Sequence, residues 1–462
     1  MKIFLPKSHL FLEDDLPLFE YNQIFSCGSI WLKKGMQRKI ATFDLYVRDL
    51  PKCRNFFVFG GLEEVVCGIQ KWHYSDEHVQ FLLDNKVITK EFGEYLKEFK
   101  FSGNIWAMPE GTVFFPGEPV IRITAPIIEA NLFTMFLINA ITSNTIFLTK
   151  ATRCVIAAAP QNCNGIYGVR AQSFESSLKS ARNSYIAGTT AIACPTFFRK
   201  YQLPMPPALT IGYHAFIKSF DTELEAMRAI AETFPKGMIV MIDTYDIEQG
   251  IKNAITVAKE LKAKGKSLKG IMIDSGDLFE IAVLTRKMLD KAGLKDVKIT
   301  VASNLDEYAI AKLKKKGIPA DAFLVVTEGV TVSDAPNLEI VYKLAQLQDG
   351  KKTVYTAKFS PQKLSYPGVK QVYRVGTDEK QKDIIGLETE KLGKPLLVEI
   401  ARNGKFVYEL PALDKIKAHL KNQLKELPPK LLDIEKQHAY PVETSQGLKA
   451  LLEIVRKKHV KQ

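Results

Sequence analysis

Two short segments carry paired carboxylates. Asp274-Ser275-Gly276-Asp277 and Asp243-Thr244-Tyr245-Asp246 each follow an apolar run and precede a helical one. In each, the second Asp stands where it would cap the helix, accepting backbone N–H groups of the first turn. The first Asp is left for chemistry. Carboxylate oxygens accept hydrogen bonds from a ribose diol and coordinate hydrated magnesium, so Asp274, Asp277 and Asp243 are candidates for both tasks. His214 follows another apolar run and can serve as nucleophile, acid–base or phosphate donor. Arg170 ends a further run, where a guanidinium can grip a carboxylate or phosphate with two N–H groups, or form a plain salt bridge. Ser303, Asn304 and Thr327 complete a rim of Arg, His, Asp and hydroxyl or amide groups suited to a phosphorylated sugar.

The elements that position these residues are legible as a series. Apolar runs at Gly165–Arg170, Ala208–His214, Met238–Asp243, Gly270–Asp274, Ile299–Ser303 and Ala322–Thr327 alternate with amphipathic stretches. Asp246–Lys264, Asp277–Ala292 and Leu305–Lys316 each stop at a Gly, the usual residue after a helix. Strand, polar residue, helix, repeated every 25–30 residues or so, predicts βα units around a parallel sheet. The strand ends then lie on one face, which in a closed barrel is the active face. Periodicity alone does not separate a barrel from an open sheet.

Flanking segments read differently. Ile40–Val47 alternates as a strand, and Val120–Thr124 follows a Pro-Gly-Glu-Pro turn. Thr353–Phe359, Gln371–Val375, Leu396–Ile400 and Phe406–Tyr408 predict strands, and Leu413–Glu426 and Ser445–Lys458 predict helices. The expected division is 1–126 and 346–462 as parts of a flanking α+β domain, with 127–345 as the α/β catalytic domain. Ile127–Leu148 is the most membrane-like stretch, but Glu129, Asn131, Asn139, Ser143 and Asn144 make it a buried helix instead.

Composition excludes several classes. The chain is 462 residues with 46% apolar residues, which fits a globular protein of two or three domains. Its net charge of +13 comes largely from Lys on helical stretches, a solvated face in place of a nucleic-acid footprint. The six cysteines form no CxxC pair, so zinc and thioredoxin-like motifs are absent. Pro6 and Lys7 interrupt the apolar N-terminus too early for a secretion signal, so the expectation is a cytoplasmic protein with reduced thiols, needing neither membrane nor nucleic acid. No GxGxxG, Walker loop, HExxH or GxSxG occurs.

Longer motifs resemble the nicotinate phosphoribosyltransferase family. Leu50–Glu64 is similar to its LPxxRNxxVFAGLEE. Gly117-Glu118-Pro119 is followed by Glu129, and Thr149–Arg153 is similar to TKAAR. Val240–Asp246 is similar to LxDTYD, Asp274–Leu278 to DSGDL and Ser303–Glu307 to SNxLDE. Val341–Leu344 is similar to VYKL, and Tyr366–Arg374 to YPGxKQVYR. The resemblance implies a type II phosphoribosyltransferase: an irregular α/β barrel with a flanking α+β domain built from N- and C-terminal segments. It implies nicotinate and phosphoribosyl pyrophosphate as substrates, Mg2+, ATP as co-substrate, NAD salvage and a homodimer. It implies a phosphorylated His214, Asp274 and Asp277 at ribose and magnesium, and Arg170 at the nicotinate carboxylate or sugar phosphates. Four places depart from the pattern. Asp14-Asp15-Leu16-Pro17 lacks the Tyr of TDxY. Gly168-Val169-Arg170-Ala171 keeps one of two Arg. Ile211-Gly212-Tyr213-His214 replaces GTxAH, and Leu324-Val325-Val326-Thr327 replaces the phosphate-cradling GVGT. These departures leave open a relative acting on another base such as nicotinamide, or a non-catalytic ligand-binding relative.

Overall fold

A computed structural model describes residues 15–165, 168, 170, 172–205, 209–210, 213–360 and 363–459. The chain divides into two compact units, Met1–Thr149 with Ala335–Gln462, and Lys150–Asp334. The sequence breaks at 126/127 and 345/346 fall at the start of the helical stretch beginning with Ile127 and inside the strand Ile340–Asp349.

The first unit is organised by Ile40–Val47. This strand is buried along nearly its whole length and pairs antiparallel with Ile340–Asp349 on one side and Ile121–Pro126 on the other. The seven-stranded sheet continues outward to Lys352–Tyr355 on one edge, and through Asn104–Ala107 and Val398–Arg402 to Lys405–Phe406 on the other. A strand buried on both faces needs partners for its polar residues. Asp44 meets Lys370 at 2.7 Å, and Lys370 Nζ also donates to the carbonyls of Tyr366 and Gly368. Phe43 stacks on Tyr342 at 4.7 Å. Motif residues shared with the family thus include joints between distant parts of the chain. Arg374 pairs with Asp383 at 2.6 Å and donates to the Val113 carbonyl, while Asn55 donates to the carbonyls of Leu431, Asp433 and Lys436.

Ile127–Asn131 and Thr134–Ala158 are the expected helices. The stretch is long and apolar enough to cross a membrane by length and composition, but the larger part of it is buried in the protein. Phe133, Leu137, Ala140 and Ile141 join the core of the first unit.

Among the described residues, the second unit is built on six parallel strands. Leu209–Thr210, Met238–Met241, Gly270–Ile273, Lys298–Val301 and Ala322–Leu324 lie side by side in chain order, and the last pairs with Asn162–Asn164, the earliest. The earliest strand lying beside the last is the order that winding a barrel produces, although among the described residues no pairing of Asn162–Asn164 with Leu209–Thr210 closes the ring. Residues 166–167, 169, 171, 206–208 and 211–212 lie outside the described residues, and they include parts of the two earliest predicted strands. The described strand of the first is Asn162–Asn164, just before the predicted run.

Alternation sorts the side chains of these strands. Val240, Ile271, Ile273, Ile299, Val301 and Phe323 are fully buried. Ile239, Met241, Met272, Ala302 and Leu324 form a separate small cluster. Helices Ile247–Ala263, Leu278–Lys291 and Glu307–Lys315 follow the strands, capped by Asp246, Asp277 and Asp306, close to their predicted limits. Gly250 lets the first of these helices sit close to the preceding strand, since a Cβ there would fall 2.2 Å from the Ile242 carbonyl oxygen.

Candidate active site

The carboxylate pair follows from strand parity. Asp243 lies two residues beyond Met241, and Asp274 two beyond Met272, so both continue the face carrying the small apolar cluster. Gly276 then turns the chain at φ +79°, a conformation that L side chains resist. The turn delivers Asp277 to the next helix.

Asp277 is exposed, and its Oδ1 accepts N–H bonds from Phe279 at 3.0 Å and Glu280 at 3.2 Å. It caps the helix Leu278–Lys291. Asp274 is half-buried. Its carboxyl is lifted above the ordinary range, first by burial and then by the negative charge of Asp243, while His214, Arg170 and the Ser303 N–H act in the opposite sense. Four of the sequence-selected groups therefore converge electrostatically on Asp274.

The neighbours of these groups complete the site. His214 opens the short helix His214–Ile217, and its Nδ1 lies 3.1 Å from Thr244 Oγ1. Ser275 Oγ donates to Asp243 Oδ2 at 2.6 Å. Thr244 and Ser275 were not singled out from the sequence, although each sits directly beside a chosen Asp, and that adjacency was the available signal. Arg170 is exposed and reaches Thr327 Oγ1 at 3.5 Å. Thr327 opens the short helix Thr327–Thr331. Ser303 and Asn304 both have positive φ, 78° and 44°, an uncommon pair for residues other than Gly. Asp14 of the N-terminal departure, and Val169 and Ala171 beside Arg170, lie outside the described residues.

A buried charge cluster supports the Ser303–Asn304 turn. Glu307, three residues on, is fully buried. Its carboxylate meets Lys150 Nζ at 2.6 Å and Arg153 Nε at 2.9 Å. Lys150 also reaches Asp334 at 3.1 Å, and Arg153 donates to Tyr308 Oη at 3.2 Å. Lys150 and Arg153 are thus engaged inside the unit, fixing the start of the helix Glu307–Lys315.

Among the described residues, no group of three or more His, Cys, Asp and Glu side chains is arranged to hold a metal ion. The donor chemistry nevertheless fits a hydrated divalent cation. Asp243 Oδ1 is buried and has no hydrogen-bond partner, and Asp274 feels the like charge of Asp243. Two adjacent carboxylates with an unsatisfied oxygen suit Mg2+, which keeps several waters and needs few protein ligands.

The fold is similar to that of solved structures. The crystal structure of human nicotinic acid phosphoribosyltransferase superposes with a TM-score of 0.82 at 23% identity, covering 94% of this chain and 99% of that one. Nicotinate-nucleotide pyrophosphorylase from Pyrococcus furiosus gives 0.71 at 22% identity, covering 92% and 98%. Residues 24–142 match the nicotinate phosphoribosyltransferase N-terminal domain, and residues 371–452 match its C-terminal domain. Nicotinate phosphoribosyltransferase pncB2 of Mycobacterium tuberculosis is 35% identical over 91% of this chain and 89% of its own length. The Bacillus subtilis nicotinate phosphoribosyltransferase is 31% identical over 94% of each. The chain belongs to the nicotinate phosphoribosyltransferase family of enzymes.

Proposed function

We propose that the protein joins nicotinate to phosphoribosyl pyrophosphate, forming nicotinate mononucleotide and pyrophosphate in NAD salvage, with ATP hydrolysis coupled to the step. The observation that carries this reading is the convergence of Asp243, His214, Arg170 and the Ser303 N–H on Asp274 at the strand ends. Transfer passes through a cation-like ribose as pyrophosphate departs, so the site must hold the diol, neutralise the leaving group and aim the base nitrogen. Asp274 is placed to accept hydrogen bonds from the ribose hydroxyls. Asp243 and Asp274 would hold Mg2+, which supplies charge neutralisation for the pyrophosphate. Arg170, with Thr327 beside it, grips a phosphate or the nicotinate carboxylate. Ser303 and Asn304 line the turn beside Asp274.

The Thr244 contact at Nδ1 orients the His214 ring and leaves Nε2 to accept a phosphoryl group from ATP. The working form is proposed as a homodimer in the cytoplasm, acting on small molecules without nucleic acid or membrane. The test is to incubate the protein with ATP, Mg2+, phosphoribosyl pyrophosphate and nicotinate. Nicotinate mononucleotide together with acid-labile phosphate on His214 is expected, and folded protein giving neither would overturn the proposal.

A second reading, a non-catalytic relative that binds a ligand, is favoured at one place. Val325 and Val326 stand where the family has a Gly-containing phosphate loop, and Val330 packs against Gly168, where a Cβ would come within 2.6 Å of Val330 Cγ2. Side chains there limit close approach of backbone amides to a phosphate. Folded protein that gives no product from nicotinate, nicotinamide or quinolinate would establish it.

A further inference from the structure

The rim groups of the second unit hold one another in a repeated way. Thr244 Oγ1, one residue beyond Asp243, lies 3.1 Å from His214 Nδ1. Ser275 Oγ, one residue beyond Asp274, donates to Asp243 Oδ2 at 2.6 Å. The Ser303 N–H donates to Asp274. Each of the three candidate groups is thus held from the segment that leaves the next strand of the sheet.

Register accounts for the second of these contacts. Met241 pairs with Met272, so counting two residues on sets Asp243 level with Asp274. Ser275 stands one residue further along, just before Gly276 turns the chain at φ +79°. From there a short hydroxyl reaches sideways to the neighbouring carboxylate. Its 2.6 Å length is that of an O–H donated to a charged oxygen.

The contact fixes a torsion that is otherwise loose. The last torsion of an Asp side chain has a broad, two-fold profile, so the carboxylate plane turns easily unless a partner holds it. Oδ1 of Asp243 is buried and has no hydrogen-bond partner among the described residues. The Ser275 hydroxyl therefore sets which oxygen is occupied and which is left for a ligand to satisfy.

We infer that Ser275 is a positioning residue for Asp243: its hydroxyl occupies Oδ2 and so keeps Oδ1 for the magnesium-bound pyrophosphate group of the substrate. The inference deepens the transfer reaction proposed above and rests on it. A donor that orients a carboxylate ligand in this way is worth about 10- to 100-fold in cation affinity or activity.

The test uses Ser275→Ala, Ser275→Thr, Asp243→Ala and the double variant of Ser275→Ala with Asp243→Ala. Steady-state kinetics give kcat and KM. Calorimetry gives the binding of phosphoribosyl pyrophosphate in excess Mg2+, without nicotinate or ATP. Ser275→Ala is expected to lower kcat/KM for phosphoribosyl pyrophosphate and to weaken its binding, each by about tenfold or more, while the KM for nicotinate holds. Its melting temperature should also hold, because Ser275 is exposed. Ser275→Thr keeps the hydroxyl and should stay within about threefold of the unaltered protein. In the Asp243→Ala background, Ser275→Ala should add no more than about twofold, because a residue that acts through another is not additive with it.

Unchanged kinetics and binding in Ser275→Ala would overturn the inference, and so would an equal loss in Ser275→Thr. A full further loss in the Asp243→Ala background would also overturn it, by placing the Ser275 hydroxyl on the substrate itself. If the unaltered protein makes no product, the transfer reaction fails and calorimetry alone decides. Binding that weakens in Ser275→Ala and is kept in Ser275→Thr then supports the positioning role, and binding equal in both, or absent throughout, overturns it.

Discussion

Asp277 offers a sharp test of how the site divides its carboxylates. Its Oδ1 accepts two N–H groups at the start of Leu278–Lys291. Replacing it with Ala removes an N-cap, which costs about 1 kcal/mol, and a negative charge at the helix N-terminus, worth about 0.3–1 kcal/mol more. The total is about 1–2 kcal/mol, or a fall in melting temperature of about 3–6 °C for a domain of this size. Asp277→Asn keeps a capping oxygen and loses only the charge, so it should lose about 0.3–1 kcal/mol. Urea unfolding followed by circular dichroism measures both. If Asp277 is a cap, both variants retain kcat within about twofold in nicotinate mononucleotide formation, since neither disturbs Asp274. A folded, stable Asp277→Asn protein with kcat/KM reduced a hundredfold would refute the reasoning and place this carboxylate on the substrate or its magnesium.

Other outcomes follow from the same structure. Asp274→Asn and His214→Asn should each fold normally and lose about 100-fold or more in kcat, with His214→Asn also abolishing acid-labile phosphate incorporation. Lys150→Met leaves the Glu307 carboxylate buried with one cation fewer and should cost about 3–5 kcal/mol in urea unfolding. Burial pushes Glu20 up from 4.5 to about 8, against the N–H bonds it receives from Met135 and Phe136. An acid with a raised folded pKa contributes stability that is full below its unfolded pKa and is lost as pH rises through the folded one. Stability should therefore decline between about pH 4.5 and 8, and Glu20→Gln should flatten that slope. Thiol titration of the native protein should modify Cys27, Cys67 and half-buried Cys53 first, and reach buried Cys154, Cys163 and Cys194 only on unfolding.

The barrel was legible because its signals are local. A βα unit announces itself within a few dozen residues, and the helix Ile247–Ala263 lies within a residue of its predicted bounds. The candidate rim was legible for the same reason, since Asp243 and Asp274 each end an apolar run. The flanking unit was harder to read, because its strands are completed by partners far along the chain. The expected boundary at 345/346 cuts the strand Ile340–Asp349, whose ten residues belong beside Ile40–Val47. The strand Lys382–Leu387 went unrecognised between charged residues, although it pairs along its whole length with Lys370–Val375. The buried cluster of Lys150, Arg153 and Glu307 was invisible for a related reason. Its charges come from two motifs more than a hundred and fifty residues apart, and only their meeting shows that each neutralises the other.

The pairing of Ile40–Val47 with Ile340–Asp349 has a consequence for synthesis. At about 5–20 residues per second, some fifteen seconds to a minute separate the emergence of these two strands from the ribosome. During that interval the Lys150–Asp334 unit, whose sheet is complete within itself, can fold. The apolar strand Ile40–Val47 meanwhile waits with one edge unpaired. Newly made chains therefore present a β edge that invites association with other chains. Chaperone dependence in the cell should track the availability of residues 340–349, so that nascent chains truncated before Ile340 aggregate while those released after Asp349 are protected.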